Sequence, residues 1–311
     1  MTAFGRPGGR VVVLAVLVTI VALPACSANP NGGAPIDASR DDAVTVASFD
    51  FAESELLAEV YSQTLEGGGY EVERAFGLGP RELVAPALAD GLVELVPEYA
   101  GTALQFVSLG TEAPARDAPT THAALVDRLE GTDITALAPA PAQNANAFVV
   151  TRATAERHDL AALSDLAAVA SELTFAGPPE CTTRPLCLVG LEEVYGSSFG
   201  EVVSLDAGGP LSRQAITSGA VDVALLFTTD PAIATERLVE LVDDRGLQPA
   251  ENITPLVRTE VLERWGPDIA ERIDAVSRHL TTEVVRDLND QVANGEPAAV
   301  AADWLDAEGL A

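Results

Sequence analysis

Leu88-Ala89-Asp90-Gly91-Leu92-Val93-Glu94-Leu95-Val96 has a counterpart further along the chain, Ile216-Thr217-Ser218-Gly219-Ala220-Val221-Asp222-Val223-Ala224. Each stretch ends a helix, stops it at a glycine, enters a strand and places an acid three residues past the glycine. Eight residues after each glycine stands an aromatic, Tyr99 in the first copy and Phe227 in the second. Both fall just past the carboxyl end of a strand, where open parallel sheets place their ligands. The echo predicts two similar α/β lobes, each presenting one ring to a shared cleft.

The flanking sequence supports that reading. Val44–Ala47 is a short apolar run suited to a buried strand. Glu53–Glu66 carries Leu56, Leu57, Val60, Tyr61 and Leu65 on one helical face and ends at Gly67-Gly68-Gly69. Tyr70–Phe76 alternates as a strand, Arg81–Ala89 is helical, and Leu92–Val96 is a strand again. A second series begins near Phe148-Val149-Val150 and continues with strands at Leu173–Ala176, Val202–Leu205, Val221–Leu226 and Leu238–Val242. Strands separated by helix-length connections indicate parallel α/β sheets. Beyond Pro255 the pattern turns mostly helical, through Val261, Ile269–Leu280, Glu283–Val292 and Ala298–Leu305.

The amino end addresses the cell envelope. Arg6 and Arg10 precede the apolar run Val11–Leu23, too short to span a bilayer comfortably, so 1–25 reads as an export signal outside the fold. Leu23-Pro24-Ala25-Cys26 resembles the lipobox of bacterial lipoproteins, which implies cleavage before Cys26 and acylation of its thiol. The mature protein is then lipid-anchored to the outer face of the cytoplasmic membrane. Residues 26–42, rich in Asn, Pro, Gly, Ser and Asp, read as a flexible tether.

A net charge of −29 argues against nucleic acid, whose phosphates need a cationic surface. All 18 basic residues are Arg, so no lysine serves in any site. With Cys26 taken by lipid, Cys181 and Cys187 remain. In an exported protein such a pair can form a disulfide, the alternative being two free buried thiols. His122, His158 and His279 are scattered and lack metal-ligand spacing. No cofactor is expected. Gly196-Ser197-Ser198-Phe199-Gly200 spells a nucleophile elbow, but that device needs a strand before the serine and a helix after it. Here a helix-like Leu188–Tyr195 precedes and a strand follows, so a hydrolase built on Ser198 is not expected.

Six motifs now become specific together: Ser48-Phe49-Asp50-Phe51-Ala52-Glu53-Ser54, Pro97-Glu98-Tyr99-Ala100-Gly101-Thr102, Pro139-Ala140-Pro141-Ala142-Gln143-Asn144, Thr183-Arg184-Pro185, Phe227-Thr228-Thr229-Asp230-Pro231 and Asn252-Ile253-Thr254-Pro255-Leu256-Val257. In this order and at these distances they resemble the osmoprotectant-binding proteins of ABC importers, which capture glycine betaine, choline or carnitine. The resemblance covers roughly 44–310. It implies a two-lobed, periplasmic-binding-protein-like (type II) clamp with a double crossover hinge, the crossings lying near Asn144–Phe148 and Glu251–Pro255. Lobe 1 would be 43–145 plus 254–311, and lobe 2 would be 146–253.

A betaine carries a carboxylate and a quaternary ammonium that cannot donate a hydrogen bond, so its site needs a donor-rich end and an aromatic end. The resemblance places Arg184 at the carboxylate end and Thr183, from the same motif, among the ligand-binding residues, with Thr102 either adding a hydroxyl to the same oxygens or capping the helix after Gly101. Ser48 and Asp50 sit at the amino end of helix Glu53–Glu66, where Asp50 reads most simply as an N-cap paired with Glu53. Asn144 lies at the first crossing. Tyr99 and Phe227 match cage positions, whereas Phe49 replaces the lysine usual in the family, and Asn146 and Glu251 stand where related betaine binders have tyrosines. Glu251 then has three readings: pairing with the cation of the solute, accepting with Asn146 from N–H groups of a different solute, or facing solvent. The expected protein is a monomeric receptor that hands a small zwitterionic or quaternary-ammonium solute to a membrane permease powered by a separate ATPase. The rival reading is an envelope scaffold or adhesion protein with a degenerate cleft.

Overall fold

A computed structural model of the protein describes residues 1–2, 42–112 and 115–310. Apart from Met1, Thr2 and Asp42, the expected signal and tether, Cys26 included, lie outside the described residues. Two five-stranded sheets carry the fold. The first takes β1 (Ala43–Ala47), β2 (Glu71–Ala75), β3 (Leu95–Tyr99), β4 (Ile134–Ala136) and β10 (Ile253–Arg258) in the order β2-β1-β3-β10-β4. The second takes β5 (Asn146–Thr151), β6 (Thr174–Gly177), β7 (Glu201–Ser204), β8 (Val223–Phe227) and β9 (Leu238–Glu240) in the order β7-β6-β8-β5-β9.

The two orders are the same pattern. In each sheet four strands run in one direction, while the strand that follows a crossing, β10 in one and β5 in the other, runs antiparallel to both of its neighbours. The sheets are therefore mixed rather than wholly parallel. Burial explains the apolar runs. In the second sheet Phe148, Val150, Phe175, Val223 and Leu225 face one core cluster, and Ala147, Val149, Ala176, Ala224 and Leu226 face another. Alternate side chains leave opposite faces, so a sheet covered on both sides reads as continuous apolar sequence.

The repeated stretch keeps its likeness atom by atom. Gly91 and Gly219 both have φ +73°, a left-handed turn that L side chains rarely adopt, and each ends its helix, α2 (Arg81–Ala89) or the helix Pro210–Thr217. Glu94 accepts a hydrogen bond from the Thr45 amide of β1 at 3.0 Å, and Asp222 accepts one from the Thr174 amide of β6 at 3.0 Å. The acid three residues past the glycine thus ties the incoming chain to the parallel strand beside it in both sheets.

Two of the boundaries that differ from the sequence reading do so for one reason. The strand expected to stop before Pro97 runs on to Tyr99, and the region expected to be helical from Pro255 is strand to Arg258. Pro97 and Pro255 stand directly opposite each other in the antiparallel pair. Neither has an N–H, so their register is one where an antiparallel ladder exchanges no bonds, and both are tolerated inside strands. Tyr99 and Phe227 are in consequence the last residues of their strands rather than lying just past them. The expected helix Leu188–Tyr195 is a single α-turn, Leu188–Gly190, continued by a π-helical turn, Leu191–Tyr195.

Candidate solute-binding cleft

The chain passes between the sheets twice, and the two passages lie side by side. The Asn144 amide donates to the Glu251 carbonyl at 2.9 Å and the Ile253 amide to the Ala142 carbonyl at 3.1 Å, with Gln143 and Asn252 forming an antiparallel bridge. Each passage ends beside a strand-terminal aromatic: Asn146 pairs in register with Phe227, and Ile253 with Tyr99. Helix α3 (Ala100–Val107) packs its amino end against the second passage. A Cβ on Gly101 would meet Pro249 at 2.4 Å, so only glycine permits this approach.

Between the sheets lies a cleft of about 370 Å³ lined by residues of both. Its aromatic wall has more rings than the sequence reading assigned. Phe51 lies 5.5 Å from Phe227, 6.2 Å from Tyr99 and 5.9 Å from Phe49, centroid to centroid, joining the rings of the two sheets. Phe49 and Phe51 follow the carboxyl end of β1, and β1 neighbours β3 in the sheet, which places them beside Tyr99. The rule that picked out Tyr99 and Phe227 also selects these two rings. Ser48–Ser54 thus contributes two rings to the cleft in addition to Tyr99 and Phe227.

Behind that wall Glu53, buried in the first turn of α1 (Ala52–Gly67), gathers four donors. They are the Tyr99 hydroxyl at 2.7 Å, the Asn144 side-chain amide at 2.6 Å, the Asn289 side-chain amide at 2.6 Å and the Thr229 hydroxyl. Tyr99 belongs to the first sheet, Asn144 to a passage, Thr229 to the loop after β8, and Asn289 to the helix Thr282–Val292. Burial, with Glu53 alongside, pushes the Tyr99 phenol well above its ordinary range and keeps it a donor.

The polar wall is made of acid–base pairs. Arg184 reaches across from the second sheet's side to Glu82 of α2, with Nη2 at 2.9 and 3.2 Å from its two oxygens, and Glu180 stands 3.7 Å away. Arg81 sends Nε and Nη2 to the two oxygens of buried Glu98, each at 2.8 Å, and lies 5.1 Å from the Phe49 ring centroid. Nothing in the sequence pattern pairs Arg81 with Glu98; their meeting comes from the packing of α2 over β3.

The family model described as the substrate binding domain of ABC-type glycine betaine transport system matches residues 42–307. The chain belongs to this family. It is 28% identical over 306 residues to the glycine betaine-binding protein YehZ of Escherichia coli (strain K12), covering 94% of this chain and 95% of that protein. It is 29% identical over 280 residues to a glycine-betaine-binding protein of Pseudomonas aeruginosa, covering 86% and 88%. The solved structure of apo YehZ superposes with a TM-score of 0.62 at 28% identity, covering 86% of this chain and 99% of that one. A glycine betaine/carnitine/choline ABC transporter crystal structure superposes with a TM-score of 0.68 at 25% identity and the same coverage. The two-lobed type II clamp is the fold of this family, and its members bind solutes rather than catalyse.

Placed on that clamp, the sequence-selected residues divide. Asp50, Tyr99, Thr102, Asn144, Asn146, Thr183, Arg184, Phe227 and Glu251 line the cleft. Ser48 does not: it is fully buried, donating to the Phe49 carbonyl at 2.9 Å and accepting from the Gly77 amide at 2.8 Å. Asp50 is not the cap of α1, which begins at Ala52 behind Phe51 with no side-chain cap, so Asp50 is exposed at the cleft instead. Asn146 donates to the Leu186 carbonyl at 3.0 Å. Glu251 is 2% exposed, which removes its solvent-facing reading. Its Oε2 accepts from the Thr102 amide at 3.1 Å and lies 3.3 Å from the Thr102 hydroxyl, and burial pushes its carboxyl up to about 8. Cys181 and Cys187 are bridged, with Cα atoms 5.3 Å apart, closing the loop that carries Thr183 and Arg184. Ser198 is exposed between the π-turn and β7, the reverse of an elbow.

Proposed function

We propose that this protein is the extracytoplasmic receptor of an ABC importer, closing two lobes on a small osmoprotectant with an ammonium head and delivering it to a permease driven by a separate ATPase. The observation that carries this reading is the ring cluster Phe51, Tyr99 and Phe227, backed by buried Phe49 and spanning both sheets at the ends of their strands. Each ring facing a cation contributes about 0.5–1 kcal/mol when exposed and about 2 when desolvated. A head held among several rings of both lobes is therefore bound best when they close. The lobes would be 43–145 plus 254–311 and 146–253. The receptor is read as a monomer tethered through lipid on Cys26, working without cofactor or metal. The proteins named above as glycine betaine binders support the solute class, and the ring cluster supplies the wall that a degenerate scaffold would lack.

A thermal-shift screen with glycine betaine, choline, carnitine and proline betaine, followed by calorimetry on any hit, tests this. At least one should raise the melting temperature, because a ligand that binds only the folded state stabilises it. No shift with any of them, at concentrations up to about a millimolar, would refute the receptor reading.

A further inference from the structure

Three groups on the cleft wall are suited to holding an anion, and each already holds a carboxyl group of the chain. Arg184 is engaged by Glu82 and Glu180. Arg81 has its fork on Glu98. At the amino end of α3, the Thr102 amide donates to Glu251, and the Thr102 hydroxyl sits between Glu251 and the Arg81 Nη2, 3.0 Å away. The chain contains no lysine to add a fourth.

The charge around the cleft follows from these pairs. Asp50, Glu82 and Glu180 line it with Arg81 and Arg184, Glu98 stands behind Arg81, and Glu251, whose carboxyl burial pushes up to about 8, lines it as a protonated acid. A solute carboxylate entering here must displace one of the resident acids or lie among like charges, and both are unfavourable. A cation meets the opposite situation: rings on one wall and an excess of acids on the other. The side chain of Glu251 faces Gly101 and Thr102 of α3, Arg81 of α2 and Glu98 of β3.

Resting on the receptor reading above, we propose that the cleft selects organic monocations over zwitterions: solutes with an ammonium head for the rings and an uncharged polar tail where a betaine has its carboxylate. The chain's own acids occupy the anion-binding groups, so specificity arises from Glu82, Glu98 and Glu251 as much as from the rings. Glu82 differs from the other two in being half-exposed at the mouth of the cleft, where it can be altered without opening the core.

Titration calorimetry on the full chain in detergent, with choline and glycine betaine as probes, reads this directly, since both carry the same trimethylammonium head. Choline should bind at least about tenfold more tightly. Glu82→Gln, which leaves Arg184 only the longer Glu180 contact at 3.7 Å, should move the ratio of the two affinities several-fold toward betaine, whereas a merely structural loss weakens both alike. Betaine binding as tightly as choline, or a ratio unmoved in Glu82→Gln, would overturn the selectivity and leave the receptor standing. Absence of binding by both, together with a blank thermal-shift panel, would overturn the selectivity and the receptor reading together.

Discussion

Replacing Glu251 by Gln should change how the stability of this protein depends on pH. Glu251 is buried, with two bonds from Thr102 and, among the described residues, no ion pair. Burial is the largest cause of its raised carboxyl pKa, about 8 against an ordinary 4.5; the Arg81 charge draws it down and Glu98 pushes it back up. The unfolded chain ionises this group near its ordinary value, while the folded protein keeps the proton to about pH 8. A group raised in the folded state contributes stability that is complete below the unfolded pKa and lost as pH rises through the folded one. At about 1.4 kcal/mol per pH unit, the window between the two values is worth on the order of 5 kcal/mol, large beside a typical total of about 5–15 kcal/mol. Glutamine keeps an acceptor for Thr102 and binds no proton. Urea unfolding of both proteins from about pH 5 to about pH 9 should show the variant gaining on the parent by close to one proton's slope, then levelling above pH 8. Parallel profiles would refute the burial argument.

Two further outcomes test the wall and its loop. Phe51→Ala should weaken binding of an ammonium solute at least about tenfold by calorimetry, because loss of a desolvated cation–π contact costs about 2 kcal/mol, while urea unfolding stays two-state; an unchanged affinity would remove the ring from the site. Cys181→Ser with Cys187→Ser should lower unfolding free energy by about 2 kcal/mol, the loop-closure value for so short a loop, and an equal denaturation midpoint with and without the bridge would refute the loop-entropy account.

Much of this architecture could be read in advance because it rests on local necessities. Gly91 and Gly219 occupy turns that need a left-handed backbone, and Glu94 and Asp222 repeat one contact in two sheets, so the echo survives as sequence. Tyr99 and Phe227 followed from their place at strand ends. The remaining features depended on which segments meet after folding. The prolines at 97 and 255 look like strand breakers until their register sets them opposite each other. Glu53 looks like a first-turn acid, yet its donors come from residues 99, 144, 229 and 289. Arg184 and Thr102 read as donors awaiting a solute, and only the packing of α2 and of the second passage brings Glu82 and Glu251 to them.

The bonded pair of passages also restricts how the molecule can move. Two strands laced together at Asn144–Glu251 and Ala142–Ile253 form a narrow ribbon. Such a ribbon flexes across its flat face at little cost, whereas sliding one strand past the other breaks the lacing. A receptor opening about this ribbon is expected to swing like a book cover about its spine, parting the rings at 51 and 227 along one path.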